Sequence, residues 1–221
     1  MPHPEPPLAF RPERRPLRVA ILLFDEVEVL DFAGPFEVFA VAPTATGEPA
    51  FEVITVALRA GSIVARNGLT VLPSHTADTL GHVDILVVPG GFGTRRELHN
   101  PAMLDFLRAS SAAAALILSV CTGAMLLGAA GLLDGRWATT HWAAVEELRA
   151  LETGAELHPD ARVVDNGAVV TAAGVSAGID GALHIVARIH GDAIAQMTAR
   201  YMQYDWPTPA TLASTVVRPN S

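Results

Sequence analysis

The stretch Leu116 to Leu127, LILSVCTGAMLL, restricts the fold of this chain more than any other. Leu116–Val120 is short and nearly all apolar, as expected of a strand buried on both faces. Cys121-Thr122-Gly123 follows, and then Ala124, Met125, Leu126 and Leu127, all strong helix formers. Gly131 stands where that helix should end. The chain's only cysteine therefore falls where a buried strand turns sharply into a helix, as in a nucleophile elbow. Gly123 lacks a Cβ and permits a tight bend. A thiol there faces unpaired N–H groups and the positive end of the helix dipole, which favour the nucleophilic thiolate.

Two plainer readings compete with a reactive cysteine. A free cysteine is often just a small buried hydrophobe. The wider run Ala112–Leu133 is also long enough to span a bilayer. Its glycines, Ser119, Cys121 and Thr122 interrupt it, and β/α units surround it, which favours the strand–turn–helix reading.

A chain of 221 residues, half of them hydrophobic, is ample for one domain and short for two. The mean hydropathy of +0.34 suits a parallel sheet covered on both faces. The net charge of −8 argues against a nucleic-acid-binding surface. One cysteine excludes an internal disulfide framework and suits a reducing, cytoplasmic compartment. Residues 1–16 read as a proline-rich arm without the apolar run of a signal peptide, and residues 208–221 as a loose tail.

Between them, residues 17–207 read as one domain. Leu17–Phe24 is a first strand, and Pro35 suits the first turn of a helix over Phe36–Val41. Phe51–Ala57 alternates as a second strand. Asn67-Gly68 and Asn166-Gly167 each mark a hairpin. Val83–Val88 is another buried strand, and Asn100-Pro101 opens a helix. Further helices are expected over Glu146–Leu151, from Thr171 through Ile189, and over Asp192–Tyr201. Strands alternating with helices give an α/β fold with a doubly covered, mostly parallel sheet. Its active site belongs at the carboxyl ends of the strands, where Asp25–Pro35, Pro89–Thr94 and Cys121–Gly123 meet.

Each candidate residue carries a plain alternative. Gly90 and Gly91 can offer converging N–H groups as an oxyanion hole, or simply form a flexible turn. Asp31 lies in an apolar stretch, where it can transfer protons or cap a helix. Glu28 and Glu37 are its rivals. Thr122 presents a hydroxyl beside the thiol, for substrate or for its own helix. His141 can partner the cysteine in acyl transfer or serve structure only. The other histidines are scattered without metal-ligand spacing, so neither a metal nor another cofactor is expected.

LLFDEVEVLDFAGPFEVF, VDILVVPGGFGT, SVCTGAMLLGAAGLLDGRWATTHW and TAAGVSAGID together resemble the ThiJ/PfpI superfamily, a flavodoxin-like branch of the class I glutamine amidotransferase-like fold. The resemblance implies Cys121 as nucleophile and Asp31 as its acidic partner. Asp31 with Cys-Thr-Gly points to the isonitrile hydratase branch, where the neighbouring threonine falls on Thr122. It implies a cofactor-independent hydratase or lyase that converts an isonitrile to an N-substituted formamide, working as a homodimer on a small molecule. The same motifs occur in the ligand-binding half of AraC-type regulators. No helix-turn-helix segment follows the last predicted helix in these 221 residues, and contact with nucleic acid or membrane is not expected. A ligand or redox sensor, and glyoxalase-like hydration of 2-oxoaldehydes, remain as alternatives. The Phe92-bearing PGGFGT loop and the proline-rich N-terminal arm are not assigned to the hydratase branch.

Overall fold

The computed structural model describes residues 16–206 and 216–219, so the proposed N-terminal arm lies outside the described residues but for its last position. In chain order the elements are β1 (Leu17–Leu22), α1 (Val29–Val41), β2 (Phe51–Ala57), β3 (Ile63–Val64), β4 (Thr70–Val71), β5 (His75–Thr76) and β6 (Ile85–Val88). Then come α2 (Thr94–Glu97), α3 (Pro101–Ala113), β7 (Leu116–Val120), α4 (Gly123–Ala129), β8 (Trp137–Ala138), α5 (Val145–Ala150) and β9 (Glu156–Leu157). The last are β10 (Val163–Asp165), β11 (Val169–Ala172), α6 (Ala177–His190), α7 (Asp192–Tyr201) and β12 (Val216–Val217).

The central sheet runs β12-β10-β11-β7-β6-β1-β2-β5. Its pairs are parallel except the β10–β11 hairpin at Asn166-Gly167. β6 and β7 are buried at every position, because helices cover both faces. Helices α1, α6 and α7 pack together on one side, while α4 contacts α2, α3 and α5 on the other. The doubly covered parallel sheet read from the sequence is thus the architecture. The other Asn-Gly turn also joins antiparallel strands, β3 and β4, with Asn67 in the left-handed region at φ 68°.

Three expectations change, while the strand–turn–helix reading of the Ala112–Leu133 run holds. α1 begins at Val29, not near Pro35, which lies inside the helix. Pro35 has no N–H to offer the carbonyl of Asp31 one turn back. Thr171 and Ala172 complete β11 and do not open a helix; α6 starts at Ala177. The β-branched run Val169-Val170-Thr171 continues its pairing with β7, and that outweighs the helix propensity of the alanines. The run Ala112–Leu133 divides among α3, β7 and α4. Among the described residues no helix is long and apolar enough to cross a membrane. Part of the expected loose tail is a strand: Val216 and Val217 pair with β10, and Arg218 reaches Asp165 at 3.2 Å.

Candidate active site

Three neighbouring strands, β7, β6 and β1, lead into the elbow with Cys121, the loop with Gly90-Gly91 and the first turn of α1 with Asp31, all at one edge of the sheet. Residues ninety positions apart therefore meet through sheet order, as the sequence predicts.

Cys121 has φ 56°, a left-handed conformation that costs a non-glycine residue energy. Its surroundings hold it there. The Cys121 N–H donates to the carbonyls of Ala172, at 3.1 Å, and Ala173, at 2.6 Å. The Thr140 hydroxyl donates to the Cys121 carbonyl at 2.8 Å. A Cβ on Gly123 would stand 2.1 Å from the Val88 carbonyl oxygen, so only glycine lets α4 start this close to β6. The expected elbow is present, and the cysteine is 7% exposed.

Asp31 is fully buried at the third position of α1. It does not cap that helix: Oδ2 accepts the Gly90 N–H at 3.0 Å, and Oδ1 has no hydrogen-bond partner. Burial raises its pKa to about 7. The N–H groups of Gly90 and Val175 and the Cys121 thiol favour the charged form, while Glu28 opposes it. Of the rival acids, Glu28 lines the cavity and Glu37 is exposed on the surface.

The same surroundings push the Cys121 thiol up to about 12, through burial first and the charge of Asp31 second. The N–H groups of Thr122 and Val175 pull the other way and do not prevail. This corrects the expectation of a resting thiolate. α4 has only seven residues, and its dipole acts at a site with little water and a carboxylate beside it.

The diglycine also serves differently from the expectation. Gly90 N–H is committed to Asp31, and Gly91 N–H donates to the Thr122 hydroxyl at 3.0 Å. These groups fix the two side chains and leave no open oxyanion pair. A Cβ on Gly90 would approach Thr122 N within 2.5 Å and Asp31 Oδ2 within 2.9 Å, so a side chain there would break the contact. Thr122 returns its hydroxyl proton to the Gly91 carbonyl at 3.1 Å. His141 lines the cavity but is not hydrogen-bonded to Cys121. Its Nδ1 accepts the Ala143 N–H at 3.2 Å, and its ring lies against the backbone of Gly174.

A cavity of about 420 Å³ opens onto Cys121 and Thr122. Sequence reasoning missed three of its lining residues, Arg66, Arg95 and Val175. Val175 is a β-branched residue at φ 52°, which turns its N–H toward both Asp31 and Cys121. Nothing in a valine advertises that conformation. Among the described residues no group of three His, Cys, Asp or Glu side chains is placed to hold a metal ion.

The sequence model of the DJ-1/PfpI family matches residues 17–188. The chain is 37% identical over 207 residues to isonitrile hydratase of Pseudomonas putida, covering 91% of this chain and 87% of that protein. It is 26% identical over 192 residues to the HTH-type transcriptional regulator GbdR of Pseudomonas aeruginosa, covering 87% of this chain and 52% of the regulator. A crystal structure of a ThiJ/PfpI family protein from Pseudomonas syringae superimposes with a TM-score of 0.77 at 30% identity. That match covers 94% of this chain and 85% of the other.

Proposed function

The chain belongs to the DJ-1/PfpI family, and from that premise we propose that it is an enzyme which hydrates an isonitrile to an N-substituted formamide through Cys121. The observation that carries this reading is a fully buried Asp31, poised near neutrality, coupled to a strained Cys121 at the floor of a small cavity. The 37% identity to an isonitrile hydratase across most of both chains supports the choice of substrate class.

The chemistry balances within this pair. Asp31 in its carboxylate form takes the thiol proton as sulfur attacks the isonitrile carbon, forming the C–S bond. The carboxylic acid so formed gives that proton to the same carbon, which leaves a thioimidate. Water then adds its oxygen to the carbon and its hydrogen to the nitrogen. Collapse of the adduct breaks the C–S bond, yields the formamide and returns the hydroxyl proton to sulfur by way of Asp31. A pKa near 7 suits a group that must both take and give a proton. Thr122, Gly90, Gly91 and His141 hold the pair and shape the cavity. The reaction needs no cofactor.

The test is formamide production from cyclohexyl isocyanide by the purified protein. No turnover of several aliphatic and aromatic isonitriles would overturn the reading. D-lactate from methylglyoxal would assign glyoxalase-like hydration in its place.

A second reading is a ligand sensor, favoured by the match to half of a transcriptional regulator. Tight binding of an isonitrile or formamide without turnover would favour it. A redox sensor is the other form of this reading, and a sulfinate that forms readily under mild peroxide in a protein without turnover would favour it.

We further propose that the protein works as a homodimer in the cytoplasm. Several large apolar side chains remain exposed, among them Leu72 and Trp142, and pairing would give them cover. A sedimentation mass equal to one 23.2 kDa chain at micromolar concentration would overturn it.

A further inference from the structure

The cavity over Cys121 has a wall that hydration itself does not require. Arg66 and Arg95 both line it, and both guanidinium groups stack on Phe92, at 5.9 Å and 5.1 Å from the ring centroid. Phe92 is 52% exposed, so the three side chains form the rim rather than the core.

Each arginine is anchored from behind. The Arg66 backbone N–H donates to the Val27 carbonyl at 2.9 Å, which fixes the residue in the turn between β3 and β4 and uses none of its guanidinium donors. Arg95 belongs to α2 and bonds Glu147 at 2.5 Å through one Nη2. Stacking on an aromatic ring fixes the guanidinium plane and leaves its N–H edge available. A guanidinium has five N–H donors, and these contacts use few of them. Arg66 meets Glu28 only loosely, at 3.9 Å. Glu147 pairs with Arg95 without lining the cavity, and Glu28 is the one carboxylate that lines it, so both guanidiniums keep N–H donors free at the rim beyond these contacts. The whole chain carries −8, so a cationic rim is not the general character of its surface.

An isonitrile group is neutral overall and does not need a pair of guanidinium ions to hold it. Two planar forks at the mouth serve the other end of the substrate. We infer that the site takes a substrate whose substituent carries a carboxylate, held at the rim by Arg66 and Arg95 over Phe92. Paired guanidiniums match a carboxylate in both charge and geometry. The inference rests on the hydration reading only for the identity of the reacting group.

The single cysteine allows a test that does not depend on turnover. Iodoacetate and iodoacetamide alkylate the same thiol and differ in the carboxylate. Their rate ratio at Cys121, compared with that at the free thiol of 2-mercaptoethanol, reads recognition of the anion. The ratio should favour iodoacetate by about tenfold over the free-thiol value. It should fall toward that value in Arg66→Met and Arg95→Met. Taking the ratio within each protein cancels any general change in thiol reactivity, and the wild-type ratio alone decides the matter if a variant misfolds. A wild-type ratio equal to that of 2-mercaptoethanol, or one that neither substitution lowers, would overturn the inference. Hydration of isocyanoacetate and of its methyl ester separates this from the reaction itself. A high alkylation ratio with neither compound hydrated would sink the hydratase reading and leave the carboxylate site standing. Hydration of both at equal kcat/KM, with a flat alkylation ratio, would do the reverse.

Discussion

Gly91 and Thr122 are joined twice: the glycine N–H donates to the threonine hydroxyl at 3.0 Å, and the hydroxyl donates back to the glycine carbonyl at 3.1 Å. The loop after β6 and the elbow after β7 are therefore locked together by one side chain, whose hydroxyl both accepts and donates. Thr122→Val keeps the shape but leaves the buried Gly91 N–H unpaired, while the Gly91 carbonyl keeps the Thr94 hydroxyl at 2.8 Å, at a cost of about 1–3 kcal/mol. The melting temperature should fall, and turnover with it, whereas Thr122→Ser should restore both. A valine variant as stable as wild type would mean that water replaces the hydroxyl.

Asp31→Asn distinguishes a proton-transfer group from a structural one. The amide can still accept from Gly90, but it cannot exchange a proton, so kcat should drop by roughly a hundredfold or more. Alkylation should respond in the opposite direction. Removing the carboxylate charge lowers the thiol pKa, so the pH profile for iodoacetamide should shift to lower pH. Identical profiles in the two proteins would show that Asp31 does not act on the thiol.

The raised pKa of Asp31 also predicts how stability depends on pH. The folded state holds this proton up to about pH 7, the unfolded chain only to about 3.8. The contribution is thus complete below the unfolded value and is lost as pH rises through 7. Asp165 behaves oppositely. Burial pushes it up, but the hydrogen bond from His184 and then the charge of Arg188 hold it below the usual carboxylate range. Its contribution is present at neutral pH and lost on acidification. Urea midpoints from pH 5 to 9 should therefore show wild type losing ground to Asp31→Asn as pH rises. Parallel curves would refute the assignment.

Gly123→Ala should be among the most damaging small substitutions in the chain. The added methyl meets a strand carbonyl at 2.1 Å rather than a movable side chain, so about 3 kcal/mol or more should be lost. Circular dichroism melts would measure it. An alanine variant with the wild-type melting temperature would show that α4 can slide away from β6.

The strands and the elbow were legible because their signals are local. An apolar run, one glycine and an alanine-rich segment are enough to announce β7, the turn and α4. Asp31 was found as a candidate, but its environment was not, since Pro35 suggested a later helix start that would have left the carboxylate in a loop. The thiolate expectation failed because it counted only the local dipole. Burial and Asp31 itself reverse it, and both come from distant chain. Arg66, Arg95 and Val175 gave no sign, because a turn, a short helix and a strained valine converge on the cavity only in three dimensions.

The order of β7, β6 and β1 has a kinetic consequence. Three parallel strands drawn from residues 17 to 120 must all be in register before the segments that carry Cys121, Gly90 and Asp31 can meet. Such non-local pairing is slow to form. A partly folded chain can hold any of these strands and still present Cys121 as an ordinary, unrestrained thiol. The surroundings that raise its pKa exist only in the assembled sheet, so the reactivity of the lone thiol reports completion of the fold.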